Sequence, residues 1–190
     1  QQYNIGGNWH TDHSYDQIPA LGSMLYAKEL QKVGGDTLFA GCAAAFDTLS
    51  EGMKSTLRSL RAVHSSRHVF GKSAAIPDDM ADLFGNADKA LQDAEHPVVI
   101  KHPLSGRETL YVNPGFTTRF VGWTEKESNS LLAFLYEHIS RPEHTYRFQW
   151  SKGALAFWDN RATWHLAVND YPGETRLMHR ITIEGEPLEP

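Results

Sequence analysis

TYRFQW-SKG-ALAFW, the stretch from Thr145 to Trp158, decides the fold. Its two ends, Thr145 to Trp150 and Ala154 to Trp158, are rich in aromatic and branched residues of the kind that suits a pleated, half-buried surface. Leu177 to Glu184 repeats that character, so the last quarter of the chain reads as three strands. Further out, Met24 to Leu30 is a short apolar run that turns polar. Gly34-Gly35-Asp36 then breaks the chain before Thr37 to Ala40, giving strand, turn, strand. Val98 to Ile100 and Leu110 to Val112 flank His102-Pro103-Leu104-Ser105-Gly106, whose Pro and Gly suit a hairpin turn.

Helical periodicity is confined to two places. Phe46, Leu49, Met53, Leu57 and Leu60 recur at spacings of three and four, which predicts a helix between Ala43 and Leu60 with a break near Gly52. Thr124 and Glu127 form a capping box, Leu131, Leu132, Leu135 and Ile139 supply the stripe of the helix that follows, and Pro142 ends it. Ser73 to Gln92 mixes Pro77, Gly85, Asp and Ala without period, so residues 71 to 95 read as an insert or lid with one short helix around Asp88. There is no repeat and no alternation of strand and helix. The expectation is one domain over residues 1 to 190, mainly antiparallel β with helical insertions rather than a doubly wound sheet.

With 190 residues, 41% hydrophobic and 22% charged, the chain has the composition of a folded domain, and its longest apolar run, Leu131 to Tyr136, is far too short to span a bilayer. The net charge of -5 and the lack of a Lys/Arg cluster argue against nucleic acid as a partner. A single cysteine, Cys42, forbids an internal disulfide and fits a reducing, cytoplasmic compartment.

The chemistry starts at His10-Thr11-Asp12. Side chains at i and i+2 of an extended strand share a face and can grip one ion. With ten histidines in the chain an H-x-D triplet arises by chance about 0.6 times, so a second histidine must support it. His165, in FWDNRATWH, is the candidate, although its aromatic neighbours equally suit a packed core histidine. Weight comes from Arg176 to Ile183, RLMHRITI. Two histidines and one carboxylate on one side of an octahedral Fe(II) leave three positions open, and a nearby guanidinium can hold the far end of a dicarboxylic cosubstrate.

Taken in order, NWHTD, GGDTLFA, HPLSGR, LYVNPGFTTR, WDNRATWH and RLMHRITIEG make the chain resemble the taurine dioxygenase (TauD/TfdA) family of Fe(II)- and 2-oxoglutarate-dependent oxygenases from Asn8 to Gly185. The resemblance implies a double-stranded β-helix, or jelly roll, with its N-terminal part missing. It implies His10, Asp12 and His165 as the iron triad, Thr37 and Arg176 as the pair on the distal carboxylate of 2-oxoglutarate, Arg180 as the anchor of an anionic substrate and Phe116 as a pocket wall. The cofactor set it implies is Fe(II), 2-oxoglutarate and O2. The expected activity is hydroxylation of a small anionic molecule, a sulfonate such as taurine or a relative, giving succinate and CO2. The alternatives are the same chemistry on an aryloxyalkanoate or alkyl sulfate ester, and a non-catalytic metal-binding jelly roll. A homo-oligomer is also expected. One departure bears on the substrate: Gly6 stands where taurine enzymes carry an asparagine.

The remaining candidates read as structural. His13, at i+3 from His10, faces away on a strand, and His179 alternates away from Arg176 and Arg180. His64, His68, His96, His102, His138 and His144 lack ligand spacing, and Cys42 reads as a small buried hydrophobe. Trp158 to Arg161 shape the bend before His165.

Overall fold

A computed structural model describes residues 6 to 70 and 93 to 190. In chain order the elements are β1 (Gly22–Glu29), β2 (Thr37–Gly41), α1 (Cys42–Asp47), α2 (Glu51–Arg58), β3 (Arg61–Ser65), α3 (Arg67–Phe70), β4 (Asp93–Pro97), β5 (Val99–Lys101), β6 (Glu108–Leu110), β7 (Thr117–Phe120), α4 (Glu125–Ile139), a 3-10 turn (Pro142–His144), β8 (Thr145–Phe148), β9 (Leu155–Asp159), β10 (Thr163–Ala167) and β11 (Leu177–Ile183). All strand pairs are antiparallel, in sheets ordered β11-β1-β9, β10-β2-β8, β4-β3-β7 and β5-β6.

Consecutive strands do not pair at the first turn. Gly34 and Gly35 both sit at positive φ, a conformation that favours glycine, and the chain leaves β1 in one sheet to enter β2 in another. The first sheet has two distinct faces. Its inner side carries Ser23, Ala27, Ala156, Trp158 and Arg180, whereas Tyr26, Leu155, Phe157, Leu177 and Ile181 are exposed. Phe39 of β2 reaches Trp158 of β9 at 5.5 Å between ring centroids, which joins the two sheets face to face.

The second sheet is two-sided as well. Trp164 and Ala40, cross-strand partners, are buried in the main core with Phe46, Leu57, Phe120, Leu132, Leu135 and Ile139. One residue on, His165 and Phe39 are partners on the opposite face, toward the first sheet. The helices therefore cover one side of this sheet and leave the other to build a site. Trp164 is anchored by donating its indole N–H to Val112 O at 2.8 Å.

Several expectations need correction. The first helix breaks at Thr48 to Ser50, ahead of Gly52, because the Ser50 hydroxyl accepts the Met53 N–H and starts α2 as a new helix that contains Gly52. Residues 93 to 95 of the expected insert belong to β4, and the short helix around Asp88 lies outside the described residues. His10 to Asp12 do not form a strand: His10 makes a single bridge to His165 and the chain then turns. The capping box at Thr124 and Glu127 is present as expected.

Candidate metal centre

Residues 6 to 10 run along the free edge of β10. His10 and His165 exchange both backbone bonds, His10 N to His165 O at 3.1 Å and His165 N to His10 O at 2.9 Å, and Ala167 N donates to Gly6 O at 2.9 Å. A hydrogen-bonded antiparallel pair puts its two side chains on one face, so the imidazoles become neighbours with ring centroids 4.1 Å apart. Gly6 lies at φ +96°, where a side chain is strained, and a Cβ there would meet the His10 ring at 3.4 Å.

Asp12 arrives by a turn instead of a pleat. The Thr11 hydroxyl donates to Asn160 O at 2.6 Å, which ties this segment to the bend between β9 and β10. His13 adopts φ 58°, and Asp16 N closes the turn on His13 O at 3.0 Å. The expectation that His13 points away holds, but through left-handed backbone, and its Nδ1 pairs with Asp16 Oδ2 at 3.0 Å. His179 is exposed on the outer face of β11.

One ligand atom each from His10, Asp12 and His165 lies within 4.8 Å of the others, the only such group among the described residues. Asp12 Oδ1 is 3.7 Å from His10 Nε2, and Asp12 Oδ2 is 3.6 Å from His165 Nε2. Burial alone would raise the Asp12 pKa, but His165, Arg180 and His10 together hold it well below the usual carboxylate range. Burial pushes His165 down to about 3 against the pull of Asp12, which leaves a neutral imidazole with a lone pair to give. An ionised carboxylate between two imidazoles is a donor set that suits a ferrous ion.

Thr37 and Arg176 meet at Trp150. The Trp150 indole N–H donates to Thr37 Oγ1 at 3.0 Å, and the Arg176 guanidinium lies over the Trp150 and Tyr171 rings at 5.8 and 5.6 Å. Nε of Arg176 is buried without a hydrogen-bond partner, an orphan donor that suits the carboxylate of a dicarboxylic acid. Phe116 is buried with its ring edge-on to His10 at 6.3 Å and to Tyr15 at 4.8 Å. Arg180 turns inward, its Nη2 standing 2.6 Å from Asp12 Oδ2 and 3.1 Å from Ser23 Oγ.

Three neighbours of this site had no signal in the sequence. Ser23 and Trp150 sit in ordinary strand-like runs, and Tyr15 follows the H-x-D triplet without any spacing that marks it. Asp159, in the bend before His165, is ion-paired with Arg161 at 2.6 Å and shares a hydrogen bond with His102 at 3.0 Å, which is a structural arrangement. Cys42 is buried and its thiol is pushed up to about 12 by burial. No helix among the described residues is long and apolar enough to cross a membrane.

Known proteins resemble this chain over most of its length. An alkylsulfatase of Acinetobacter baylyi is 38% identical over 182 residues, covering 94% of this chain and 57% of the relative. An alpha-ketoglutarate-dependent sulfate ester dioxygenase of Pseudomonas putida is 37% identical, covering 94% of this chain and 60% of the relative. The chain thus spans a little over half the length of these relatives. Among solved structures, a taurine dioxygenase from Burkholderia xenovorans superposes with TM-score 0.79 at 35% identity, covering 97% of this chain and 60% of that one. AAD-2, in complex with Mn(II) and N-oxalylglycine, superposes with TM-score 0.83 at 30% identity, covering 96% and 70%. The jelly-roll architecture is shared with these structures. The family model for the taurine catabolism dioxygenases TauD and TfdA matches residues 1 to 182, and the chain belongs to that family.

Proposed function

We propose that residues 1 to 190 form the catalytic domain of an Fe(II)- and 2-oxoglutarate-dependent dioxygenase that hydroxylates a small organic anion. The observation that carries this reading is the meeting, on one face of the β10-β2-β8 sheet, of a His10, Asp12 and His165 cluster with Thr37, beside an Arg176 donor that lacks an acceptor. The two sulfate ester relatives support an alkyl sulfate or sulfonate as substrate.

His10, Asp12 and His165 would hold the ferrous ion on one side and leave its other side for ligands. With 2-oxoglutarate and O2, bound iron supplies the oxidising power for a C–H bond, releasing succinate and CO2. Arg176 holds the distal carboxylate of the cosubstrate by a charge-assisted hydrogen bond while Thr37 adds a neutral one. The Trp150 and Tyr171 rings keep the guanidinium in place. Arg180 takes the anionic group of the substrate, and because it stands 2.6 Å from Asp12 that group is placed beside the metal ligands. Phe116 and Tyr15 wall the carbon body and keep water from it. If the hydroxylated carbon bears a sulfate ester or sulfonate, the product collapses to a carbonyl compound and releases the anion. Cytoplasmic location and a homo-oligomeric state belong to the same proposal, supported by the free Cys42 thiol and by the exposed apolar side chains on the outer face of the first sheet.

The test is succinate release by the Fe(II)-loaded chain with alkyl sulfates, taurine, longer sulfonates, aryloxyalkanoates and their neutral alcohol analogues. Turnover of the anions supports the reading, and faster turnover of the neutral analogues overturns the role of Arg180. Iron bound without consumption of 2-oxoglutarate on any acid would mark a non-catalytic metal-binding domain.

A further inference from the structure

Ser23 stands on the inner face of β1, fully buried, and touches two charged groups at once. Its hydroxyl donates to Asp12 Oδ2 at 2.9 Å and accepts from Arg180 Nη2 at 3.1 Å, while the same Nη2 lies 2.6 Å from Asp12 Oδ2. A hydroxyl both donates and accepts, so Ser23 links the carboxylate to the guanidinium while those two also touch directly, and the three side chains close a ring. The consequence falls on Asp12. Its Oδ2 accepts the Ser23 hydroxyl, meets the Arg180 guanidinium at 2.6 Å and lies 3.6 Å from His165 Nε2, whereas Oδ1 faces His10 Nε2 at 3.7 Å and accepts no hydrogen bond from the described residues.

We propose that Ser23 is a positioning residue for the metal centre: it occupies Asp12 Oδ2 so that the carboxylate presents Oδ1 alone to the ion. One-oxygen binding matters because two imidazoles and a single carboxylate oxygen leave three octahedral positions open, and a second carboxylate oxygen would close one of them. Arg180 cannot guarantee this alone. It is 43% exposed and, in the proposed function, is also drawn toward the substrate anion. Ser23 is buried on a strand paired on both sides, where it stays whatever Arg180 does. The inference rests on the reading that His10, Asp12 and His165 bind a divalent cation.

The test uses Co(II) alone, titrated into the metal-free chain, with affinity and the visible d–d spectrum as readouts. Ser23→Ala is expected to weaken Co(II) binding about 10- to 100-fold, the range for outer partners of metal ligands, and to change the spectrum. Ser23→Thr, which keeps the hydroxyl, is expected to restore both. Should the alanine variant not fold, Ser23→Val against Ser23→Thr decides by the same criterion, since valine matches threonine in shape and lacks the hydroxyl. Unchanged affinity and spectrum in the alanine variant, or failure of threonine to restore them, overturns the role of Ser23. A wild-type chain that binds no Co(II) overturns the metal reading itself, a result distinct from either.

Discussion

Of the three histidine pairs that lie close together among the described residues, His138 and His144 at 5.1 Å included, two join segments across a sheet, and only one of these gathers a carboxylate as a third ligand. His10 and His165 stand 4.1 Å apart by ring centroids, His64 and His96 5.3 Å apart. Both pairs are brought together across strands. His10 and His165 face Asp12, whose carboxylate is held ionised and lies within reach of both Nε2 atoms. His64 and His96 instead surround Tyr111, at 5.6 and 5.5 Å, and His96 Nε2 contacts the backbone oxygen of Asp16 at 3.0 Å. Burial first and the neighbouring His96 second push His64 well below its ordinary pKa, and burial lowers His96 as well. Imidazole proximity is therefore not what makes a centre. An anionic oxygen directed at the same point supplies the charge that a divalent cation requires when it leaves water.

Removing that oxygen is the strongest way to break the contrast. Asp12→Ala should turn the first pair into an analogue of the second and weaken Fe(II) or Mn(II) binding by more than about 100-fold, beyond what outer partners alone contribute. Metal content after gel filtration checks it, and full stoichiometry in the variant would remove the basis of the comparison.

Arg176→Ala tests the other end of the site. It should weaken 2-oxoglutarate by about 2 to 5 kcal/mol, the range for deleting one partner of a buried charge pair, with metal affinity unchanged. Anaerobic titration with each ligand separates the two effects.

The second histidine pair makes its own prediction in pH. His64 and His96 are neutral in the fold, whereas in the unfolded chain they protonate near pH 6.5. The unfolded state then binds more protons, so stability is full above about pH 6.5 and is lost as the pH falls below it, by up to about 1.4 kcal/mol per unit and per histidine. Urea denaturation of the metal-free chain at successive pH values measures the slope. His165, held down to about 3 in the metal-free fold, contributes in the same way, so His64→Gln should remove about a third of the slope, and an unaltered slope would mean that the charge change lies elsewhere.

Smaller effects sharpen the boundary of the centre. Arg180→Ala should raise the substrate KM about tenfold, as loss of a partly exposed charge contact does, and should change the 2-oxoglutarate requirement less. His13→Ala should leave metal stoichiometry intact and shift stability by no more than about 0.5 kcal/mol, since its ring pairs with Asp16 outside the cluster. Loss of metal in this variant would show that the wrong histidine of the HTDH stretch was placed among the ligands.

What the chain revealed unaided was local or chemical. Thr124 and Glu127 spell a capping box because both hydrogen bonds lie within one turn, and Gly34-Gly35 announces a turn because the backbone there takes positive φ. The residue types for an iron site were legible together with the order of the motifs. The β10 strand was not, because Trp164 faces the helical core and His165 faces the site, so no single apolar face marks the segment. Nor was the strand expected at His10 to Asp12 the device that gathers the ligands. Pairing of residues 155 positions apart brings His165 to His10, and a turn held by Thr11 on Asn160 O delivers Asp12. The bond from Ser23 to Asp12, the placement of Trp150 between Thr37 and Arg176 and the left-handed turn that carries His13 outward belong to the same class. Strand register and turn geometry set which side chains converge, and they are decided by which faces can be buried together once the sheets pack, a property of the whole chain that no local spacing contains.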